Sequence, residues 1–351
     1  MKIRALVLAA GLGRRLRPLT EDLPKPLLPV TGKPILSWTL ERLRAAGCEA
    51  VAVNLFHAGE RIRERYGDEH EGLPLVYSEE HELLGTLGAL APLRGFFAGC
   101  DLVLVVNGDS LCRWPFKKLL RSHRRSGAAA TLMLTRRPDP REFGGGVGID
   151  REGRILSFSD ADRHRGEAYS RHVFAGAHVL SAELLERVGE GPSDFVKDLY
   201  VPLLDEGARL QAVASEARWH DLGTPRRYLE GVLDWARGRG PARWFRRSWC
   251  SPLAEVDGGK IHASVLEGDA RVERGAKAVR CLLLPGARVE PEAVVKDSIL
   301  GPRAVVPRGA WVERRLIMPQ QGDTKPNPGD SLVGGMVYSS LGPAPKPETR
   351  I

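Results

Sequence analysis

The chain has 351 residues, of which 42% are hydrophobic and 27% are charged, and its formal net charge is +8 at pH 7. This composition is typical of soluble globular proteins, and the length predicts a main domain accompanied by a smaller one. No apolar run has the length of a membrane-spanning helix, and the glycine-bearing N-terminus does not resemble a signal peptide. We therefore expect a cytoplasmic protein that has no membrane partner.

Cysteine content and charge exclude further classes of protein. Five scattered cysteines form no C-x-x-C pair, which argues against both a disulfide framework and a zinc site. The positive charge would suit nucleic-acid binding, yet the arginines are spread along the chain without a recognition motif or a basic tail. Anionic small substrates explain the charge equally well, and we expect no nucleic-acid partner.

The first two thirds of the chain alternate between strand-like and helix-like patterns. The apolar run "IRALVLAAG" is followed by the helix-like "PILSWTLERLRAAG", then by the strand-like "AVAVNLF" and the helix-like "AGERIRERYG". This alternation predicts βαβ units and a parallel sheet. A later apolar run, "DLVLVVNGDS", ends in a turn that carries Asp109. We predict that this carboxylate lies at the carboxyl end of a buried strand, where open α/β sheets bind ligands.

Further along, "AAATLMLT" predicts a strand, whereas "SAELLERV" and "FVKDLYVPLLDEG" predict helices. These patterns place the first domain at residues 1–237. A basic, tryptophan-bearing stretch, "RGPARWFRRSWCSP", then predicts a linker over residues 238–260.

The region after this linker repeats every 17 residues, with aliphatic side chains spaced by six, six and five positions. Such spacing predicts a triangular β-helix whose inward side chains stack from coil to coil. We predict three coils over residues 261–317 that support a homo-oligomer rather than chemistry, and a loosely ordered, low-complexity tail over residues 318–351. The recurring residues are Leu266, Leu283, Leu300, Val272, Val289 and Val306.

The stretch "LAAGLGRRLRPLTEDLPKPLLPV", residues 8–30, concentrates glycine and cationic side chains. Gly11 and Gly13 allow backbone N–H groups to approach a polyphosphate, and the prolines on either side of Lys25 stiffen its backbone. No P-loop is present, and the third glycine of a dinucleotide motif would fall at Leu16. We predict a phosphate site, the alternative being solvated charges beside a tight turn. The cationic residues of the predicted phosphate site are Arg14, Arg15, Arg17 and Lys25.

With these residues, the chain resembles the sugar-1-phosphate nucleotidyltransferases, or nucleotide-sugar pyrophosphorylases. Their fingerprint G-x-G-T/S-R-L/M-x-P-L-T, followed by P-K-P-L-L-P, stands here as "GLGRRLRPLT" and "LPKPLLPV", and the likeness continues in "LLGTLGAL", "VVNGDS" and "WHDLGTPRRYLE". The repeats resemble the left-handed β-helix that many of these enzymes carry. The resemblance implies a Rossmann-like, mostly parallel α/β domain followed by a short left-handed parallel β-helix of hexapeptide repeats.

This resemblance also implies a reaction in which a nucleoside triphosphate and a sugar 1-phosphate give a nucleotide-sugar and pyrophosphate. It implies that Asp109 and Asp221 hold Mg²⁺, that Arg15 grips the departing pyrophosphate, and that Lys25 binds the reacting phosphates. Each residue also has a structural interpretation. Asp109 would cap a turn, Asp221 would cap the next helix, and Lys25 would be an exposed loop residue.

The remaining site residues follow from the same resemblance. Two departures stand out: Arg14 occupies a position that most members fill with Thr or Ser, and "RILSFSDADRHRGEAYS" lacks the sugar-phosphate lysine of the family's Glu-Lys-Pro segment. Lys197 is our candidate for the missing charge, beside Gly146 and Gly176 for the sugar. The residues implied for nucleotide binding are Leu8, Ala10, Gly11, Gly13, Arg14, Glu82, Gly85 and Thr86.

The loop "SEEHELLGTLGAL" resembles the E-x-L-G-T-x-G form of mannose-1-phosphate and heptose-1-phosphate guanylyltransferases. A carboxylate such as Glu80 or Glu82 can accept hydrogen bonds from the N1–H and amino groups of guanine. We therefore expect GTP with mannose 1-phosphate or a related sugar. The alternatives are UTP with N-acetylmuramate or another amino-sugar 1-phosphate, and a catalytically silent regulatory relative.

Overall fold

The computed structural model describes residues 2–158, 168–237, 248–320 and 328–342. The chain divides into two units, and two N-terminal segments group with the C-terminal part of the chain. This division differs from the predicted boundary at residue 237. The first unit comprises Met1–Leu12, Leu23–Leu27 and Ile35–His220, and the second comprises Gly13–Asp22, Leu28–Pro34 and Asp221–Ile351.

A ten-stranded sheet forms the centre of the first unit. Its central strand, Ile3–Leu8, pairs in parallel with Ala50–Leu55 on one side and with Leu102–Asn107 on the other. Leu73–Glu79 extends the parallel part, whereas Ser170–Ser181 runs antiparallel to Leu102–Asn107. The predicted α/β fold with a mostly parallel sheet is confirmed. The other strands of this sheet are Glu69–His70, Ala130–Thr135, Val147–Ile149, Ile155–Ser157 and Leu210–Ser215.

Both faces of the sheet are buried, which explains the unbroken apolar runs in the sequence. Ala5 and Val7 belong to one hydrophobic cluster, whereas Leu6 between them belongs to the other. The helix Ile35–Ala46 covers the first face because Leu36, Leu40 and Leu43 fall on one side of it. None of the helices in the described ranges is long and apolar enough to cross a membrane. The other α-helices of this unit are Gly59–Tyr66, Gly85–Gly88, Arg94–Phe97, Phe116–Ser126 and Val201–Asp205.

Two predicted helices depart from regular α-helical geometry. Ala182–Arg187 is a 3-10 helix, and the second segment is a π-helix, Phe195–Tyr200, that continues into the α-helix Val201–Asp205. Pro202 has no N–H to donate, so the backbone hydrogen bonding of the continuous helix is interrupted where the π-helix meets the α-helix. Shorter 3-10 helices are Arg14–Leu16, Lys25–Leu27, Ala91–Leu93 and Pro140–Phe143.

The C-terminal part of the second unit is a parallel β-helix. Its coils stack in register, with Val265 paired to Leu282 and Leu282 paired to Ile299. The side chains that repeat every 17 residues are buried inside it, as predicted. The strands of the full coils are Trp249–Cys250, Glu255–Val256, Lys260–His262, Val265–Leu266, Arg271–Val272, Lys277–Val279, Leu282–Leu283, Arg288–Val289, Val294–Lys296, Ile299–Leu300, Val305–Val306 and Trp311–Glu313.

The β-helix has four coils rather than three, because its first coil occupies part of the predicted linker. Trp249 pairs with Val265, and Val256 pairs with Val272, at a spacing of 16 residues, whereas Lys260 pairs with Lys277 at the usual 17. This one-residue shortening breaks the period and hides the coil in the sequence. The predicted linker residues 238–247 lie outside the described residues.

Part of the predicted loose tail is also structured. Met336–Ser340 pairs antiparallel with Arg315–Pro319 and with Ser331–Val333, and Tyr338 is buried in the β-helix core. Gly334 and Gly335 join the two final strands with φ of 56° and 73°, the conformation of a tight hairpin turn that glycine adopts readily. The Gly334-Gly335 dipeptide is the sequence feature from which this hairpin could have been predicted. Residues 321–327 and 343–351 of the tail lie outside the described residues.

A short hairpin from the N-terminal sequence, Pro29–Val30 with Lys33–Pro34, also belongs to the second unit. Glu267 of the β-helix is only 1% exposed, and it accepts hydrogen bonds from the backbone N–H groups of Gly32, at 2.8 Å, and Thr31. Burial raises the pKa of the Glu267 carboxyl to about 7, although these two donors oppose the shift. Glu267 therefore titrates at neutral pH.

We expect the stability of the protein to fall as pH rises through the range set by Glu267. A raised pKa in the folded state means that the stabilisation is complete below the unfolded value of 4.5 and is lost as pH rises to about 7. The loss amounts to about 3 kcal/mol at roughly 1.4 kcal/mol per pKa unit. The variant Glu267→Gln should lack this slope, so the melting temperature of the wild type should fall relative to that of the variant between about pH 5 and pH 8.

The matched control is Glu290→Gln, which alters a β-helix carboxylate that accepts the backbone N–H of Arg308. Its melting curve should run parallel to that of the wild type across this range. If Glu267→Gln also runs parallel to the wild type, Glu267 does not titrate there.

Candidate active site

Lys25 and Asp109 form a partly buried ion pair in the first unit. Asp109 follows the strand Leu102–Asn107 at its carboxyl end, as predicted, and its Oδ2 accepts a hydrogen bond from Lys25 Nζ at 2.8 Å. Lys25 is 5% exposed, whereas the side chain of Asp109 is 41% exposed. A buried ammonium requires a compensating charge, which Asp109 supplies while it remains accessible to solvent. The interpretation of Lys25 as an exposed loop lysine is therefore wrong.

The turn that carries Asp109 packs tightly against the end of the central strand. Gly108 donates its N–H to Leu8 O at 2.8 Å, and a Cβ at this position would come within 2.7 Å of the Val7 side chain. Ala9, which follows the last residue of the strand, donates its N–H to Asn54 Oδ1 at 2.7 Å. The predicted nucleotide-binding residues Leu8 and Ala10 flank Ala9, so this bond restrains the backbone between them.

Glu80 and Glu82, the two candidates for accepting hydrogen bonds from guanine, lie in different environments. Glu80 is buried, and it accepts hydrogen bonds from Asn54 Nδ2 at 2.7 Å and from Leu84 N at 3.0 Å. These bonds assign Glu80 to holding the loop. Glu82 is exposed in the same loop and keeps its carboxylate at the surface.

Gly85 and Thr86 hold the loop against the helix that carries Lys197. Gly85 has φ of 73°, and a Cβ there would lie 2.5 Å from Ser193 O, so only glycine fits. Thr86 Oγ1 donates to Asp194 Oδ2 at 3.0 Å and accepts the N–H of Phe195 at 3.1 Å. Gly85 and Thr86, which the sequence predicts to bind the nucleotide, therefore also fix this loop to the helix.

The predicted sugar-binding glycines both have backbone conformations that favour glycine. Gly176 has φ of 72° at an irregularity between two strands, and a Cβ there would lie 2.7 Å from the side-chain amide of Asn107. Gly146 has φ of 70°, and its carbonyl accepts a hydrogen bond from Arg171 Nη1 at 3.1 Å. Sequence reasoning did not single out Asn107, although it stands in the motif "VVNGDS", and it missed Arg171, which lies outside the quoted motifs.

Lys197 is exposed on the π-helix Phe195–Tyr200, where its backbone N–H donates to the capping carboxylate of Asp194 at 3.1 Å. A π-helix is rare and frequently marks a functional site. Residues 159–167, which include most of the segment that lacks the family's lysine, lie outside the described residues.

In the second unit, Arg15 and Asp221 lie against the same glycine. A Cβ at Gly223 would come within 2.8 Å of Arg15 Nη2 and 2.9 Å of Asp221 Oδ1. Asp221 Oδ2 accepts from Arg227 Nη1 at 2.6 Å, while Thr224 Oγ1 accepts the N–H of Arg227 at the start of the helix Pro225–Arg237. The helix is thus capped by Thr224, and the interpretation of Asp221 as its cap is wrong.

The glycine-rich loop, which belongs to the second unit from Gly13 onward, presents its arginines to solvent. Gly13 has φ of 59°, and its carbonyl accepts from Thr20 Oγ1 at 2.9 Å. Leu16 is buried, whereas Gly11, Arg14, Arg15 and Arg17 are exposed. Anchoring by Leu16 leaves three guanidinium groups available to anions on one short loop.

Asp109 and Asp221 are chemically suited to a divalent cation. Both carboxylates offer hard oxygen ligands, and Mg²⁺ prefers such oxygens while keeping several waters. One oxygen of each carboxylate interacts with a cationic side chain, Lys25 or Arg227.

Comparison with known proteins identifies the family. Residues 4–237 match the nucleotidyl transferase family, and residues 238–315 match the GlmU-like C-terminal hexapeptide family. The chain is 32% identical over 301 residues to a mannose-1-phosphate guanylyltransferase of Mycobacterium tuberculosis, covering 85% of this chain and 81% of that protein. It is 30% identical over 336 residues to probable mannose-1-phosphate guanylyltransferase 1 of Oryza sativa subsp. japonica, covering 90% and 91%.

Among solved structures, HddC from Yersinia pseudotuberculosis aligns with a TM-score of 0.55 at 23% identity and covers 67% of this chain and 100% of that one. A second structure of HddC, complexed with GMP-PN, aligns with a TM-score of 0.54 at 24% identity. The chain belongs to the nucleotidyl transferase family, and the predicted resemblance is confirmed.

We expect the substitution Gly223→Ala to impair nucleotidyl transfer far more than folding. The atoms nearest to the added methyl group would be the ends of the Arg15 and Asp221 side chains, which can move aside at little cost to stability. Their displacement should lower kcat, measured as pyrophosphate release, by about tenfold or more, since small errors of position are costly in catalysis.

The control is Gly95→Ala, where a Cβ would meet nothing within 4 Å. This variant should keep wild-type turnover. Wild-type turnover in Gly223→Ala as well would show that the arrangement around Gly223 is not used in the reaction.

Proposed function

We propose that this protein is a sugar-1-phosphate nucleotidyltransferase that joins a nucleoside triphosphate and a sugar 1-phosphate to give a nucleotide-sugar and pyrophosphate. The observation that carries the proposal is the buried ammonium of Lys25, held by Asp109 at the carboxyl end of a central strand. Membership of the nucleotidyl transferase family supports it. The joint presence of Arg15, Lys25, Asp109 and Asp221 argues against a catalytically silent relative.

The reaction requires positioning and charge neutralisation rather than covalent catalysis. A phosphate oxygen of the sugar 1-phosphate attacks the α-phosphorus of the triphosphate in line, and pyrophosphate leaves. Lys25 offers a fixed positive charge to the reacting phosphates, because its Nζ is already oriented before substrates bind. Arg15 offers a guanidinium that matches the oxygens of the departing pyrophosphate.

We propose Mg²⁺ as the cofactor, with Asp109 and Asp221 as its carboxylate ligands. When bound, the ion neutralises phosphate charge and orients the phosphate groups. The support lies in the chemistry of the two carboxylates and in the family fingerprint around them.

GTP and mannose 1-phosphate are the proposed substrates. The curated relatives that resemble this chain over most of its length are named mannose-1-phosphate guanylyltransferases. The exposed carboxylate of Glu82 can accept hydrogen bonds from the N1–H and amino groups of guanine, whereas uracil offers no such pair of donors. We further propose that the enzyme acts in the cytoplasm as a homo-oligomer.

Two cationic residues, Lys197 and Arg171, are candidates for binding the phosphate of the sugar 1-phosphate. Lys197 is exposed and stands on a π-helix, which makes it accessible to a ligand. Arg171 lies beside Gly146 and donates to the Gly146 carbonyl and to Ser157 Oγ, so its guanidinium is held close to one predicted sugar-binding glycine. We propose Lys197 as the phosphate ligand and Arg171 as the residue that orients the Gly146 backbone.

The experiment that tests the function is a panel of nucleoside triphosphates against sugar 1-phosphates, with pyrophosphate release measured in the presence of Mg²⁺. GTP with mannose 1-phosphate should give the highest kcat/KM. If UTP or dTTP is at least about tenfold more efficient than GTP with every sugar 1-phosphate, the guanylyl assignment fails and the enzyme class stands. If no pair releases pyrophosphate, the enzymatic proposal fails.

We expect Asp109→Asn and Asp221→Asn each to lower kcat by about a hundredfold or more at saturating Mg²⁺. Each change removes a charged metal ligand from a site whose contribution is mostly electrostatic. Asp109→Asn should also lower the melting temperature, because it weakens the charge that compensates Lys25.

The matched control is Asp269→Asn, which alters a β-helix carboxylate that accepts the N–H of Gly286 at 2.7 Å. It should keep full turnover. Near-normal rates in Asp109→Asn or Asp221→Asn would refute the metal assignment for that residue.

We expect Lys197→Ala to raise the KM for the sugar 1-phosphate about tenfold while the KM for the triphosphate changes less than about twofold. Loss of one charge-assisted contact to a single substrate produces this pattern. Initial rates with each substrate varied in turn measure both constants. Equal changes in the two KM values would show that Lys197 is not the sugar-phosphate ligand. If Arg171→Ala instead raises only the KM for the sugar 1-phosphate, that role belongs to Arg171.

A further inference from the structure

The hairpin Pro29–Val30 with Lys33–Pro34 follows Lys25 closely in the chain, yet it belongs to the unit that contains the β-helix. Only Pro26, Leu27 and Leu28 separate Lys25 from the start of the hairpin. Whatever fixes the hairpin therefore limits where Lys25 can lie.

Three side chains of the second unit hold this hairpin. Glu267 Oε2 accepts the N–H of Gly32 at 2.8 Å, and Tyr228 Oη donates to Pro29 O at 2.7 Å. The ring of Trp249 packs on Gly32, since a Cβ there would lie 3.3 Å from it. All three contacts involve the backbone or the glycine of the hairpin, so they fix its main chain directly.

Glu267 itself is held by the stacking of the coils. Its backbone N–H donates to Leu283 O at 2.8 Å in the next coil, and its carbonyl accepts from Ala270 N. The carboxyl group is almost fully buried, and the N–H groups of Thr31 and Gly32 donate to it. The position of the hairpin is thereby tied to a rigid part of the β-helix.

The chain between Lys25 and the hairpin is stiff. Pro24, Pro26 and Pro29 each fix one backbone dihedral, and Lys25–Leu27 is a turn of 3-10 helix. Leu27 and Leu28 are buried. This segment therefore has less freedom than a flexible loop to absorb a displacement at Gly32.

We propose that Glu267 is a positioning residue for the transfer reaction: the β-helix, through Glu267, fixes the hairpin that follows Lys25 and thereby fixes the lysine. This inference rests on the proposed function of Lys25. It revises the expectation that the repeats serve assembly alone, because a coil of the β-helix then contributes to turnover within a single chain.

The test uses the full-length protein and four variants. Glu267→Ala removes the acceptor, and Glu267→Gln keeps an acceptor oxygen of the same size. Tyr228→Phe removes only the hydrogen bond to Pro29 O. It provides a second test of the proposal if Glu267→Ala does not fold. Glu290→Ala is the matched control, since Glu290 accepts the N–H of Arg308 within the β-helix. Each protein is assayed for hydrogen exchange of the peptide covering residues 24–34, and for kcat and both KM values.

Glu267→Ala should exchange this peptide about tenfold faster and lose about tenfold in kcat, as expected when a buried backbone hydrogen bond is lost. Both KM values should change less than about threefold. Glu267→Gln should restore both readouts to within about threefold of the wild type, Tyr228→Phe should shift them in the same direction by a smaller factor, and Glu290→Ala should change neither.

Wild-type kcat in folded Glu267→Ala, or an equal loss in Glu290→Ala, overturns the proposal. If Glu267→Ala does not fold, wild-type exchange and kcat in Tyr228→Phe overturn it. The exchange measurement separates this inference from the proposed function, since it requires no turnover. If the wild type is inactive and Glu267→Ala accelerates exchange, both the proposed function and the role of Glu267 in the reaction are refuted. The conclusion that Glu267 holds the hairpin would stand.

Discussion

The ion pair between Lys25 and Asp109 is the constraint on which the account of this protein depends. An ammonium that is almost fully buried must be compensated, and here the compensation comes from a carboxylate at the end of a strand in the central sheet. The pair therefore connects the proline-bounded N-terminal segment to the central sheet of the first unit. It also orients a positive charge before any substrate is present, which is the arrangement that favours electrostatic catalysis.

Close backbone approach is the second recurring feature, and it explains several glycines in family motifs. At Gly85 the obstacle is the carbonyl of Ser193, at Gly176 it is the side chain of Asn107, and at Gly223 it is Arg15 with Asp221. The first glycine maintains a loop, whereas Gly223 allows two charged side chains to approach the main chain. Glycines in different stretches of the chain thus serve different physical purposes, and only the structure separates them.

The sequence predicted those parts of the fold that depend on local pattern. Apolar runs indicated strands that are buried on both faces, and the 17-residue period indicated stacked coils. It missed the first coil, because a 16-residue step interrupts the period between Val256 and Val272. It did not predict the burial of Glu80, which depends on contacts with Asn54 and Leu84, and it overlooked Arg171, whose proximity to Gly146 depends on strand pairing. Such contacts join distant parts of the chain and leave no periodic signal.

The central claim is that Lys25 contacts the reacting phosphates, and a crystal structure of the protein with GDP-mannose and Mg²⁺ tests it most directly. The account predicts that Lys25 Nζ lies within about 3 Å of a phosphate oxygen, at hydrogen-bond distance, and that the Asp109 carboxylate coordinates the metal. A complex in which the phosphates lie away from Lys25, with the lysine bonded only to Asp109, would contradict it.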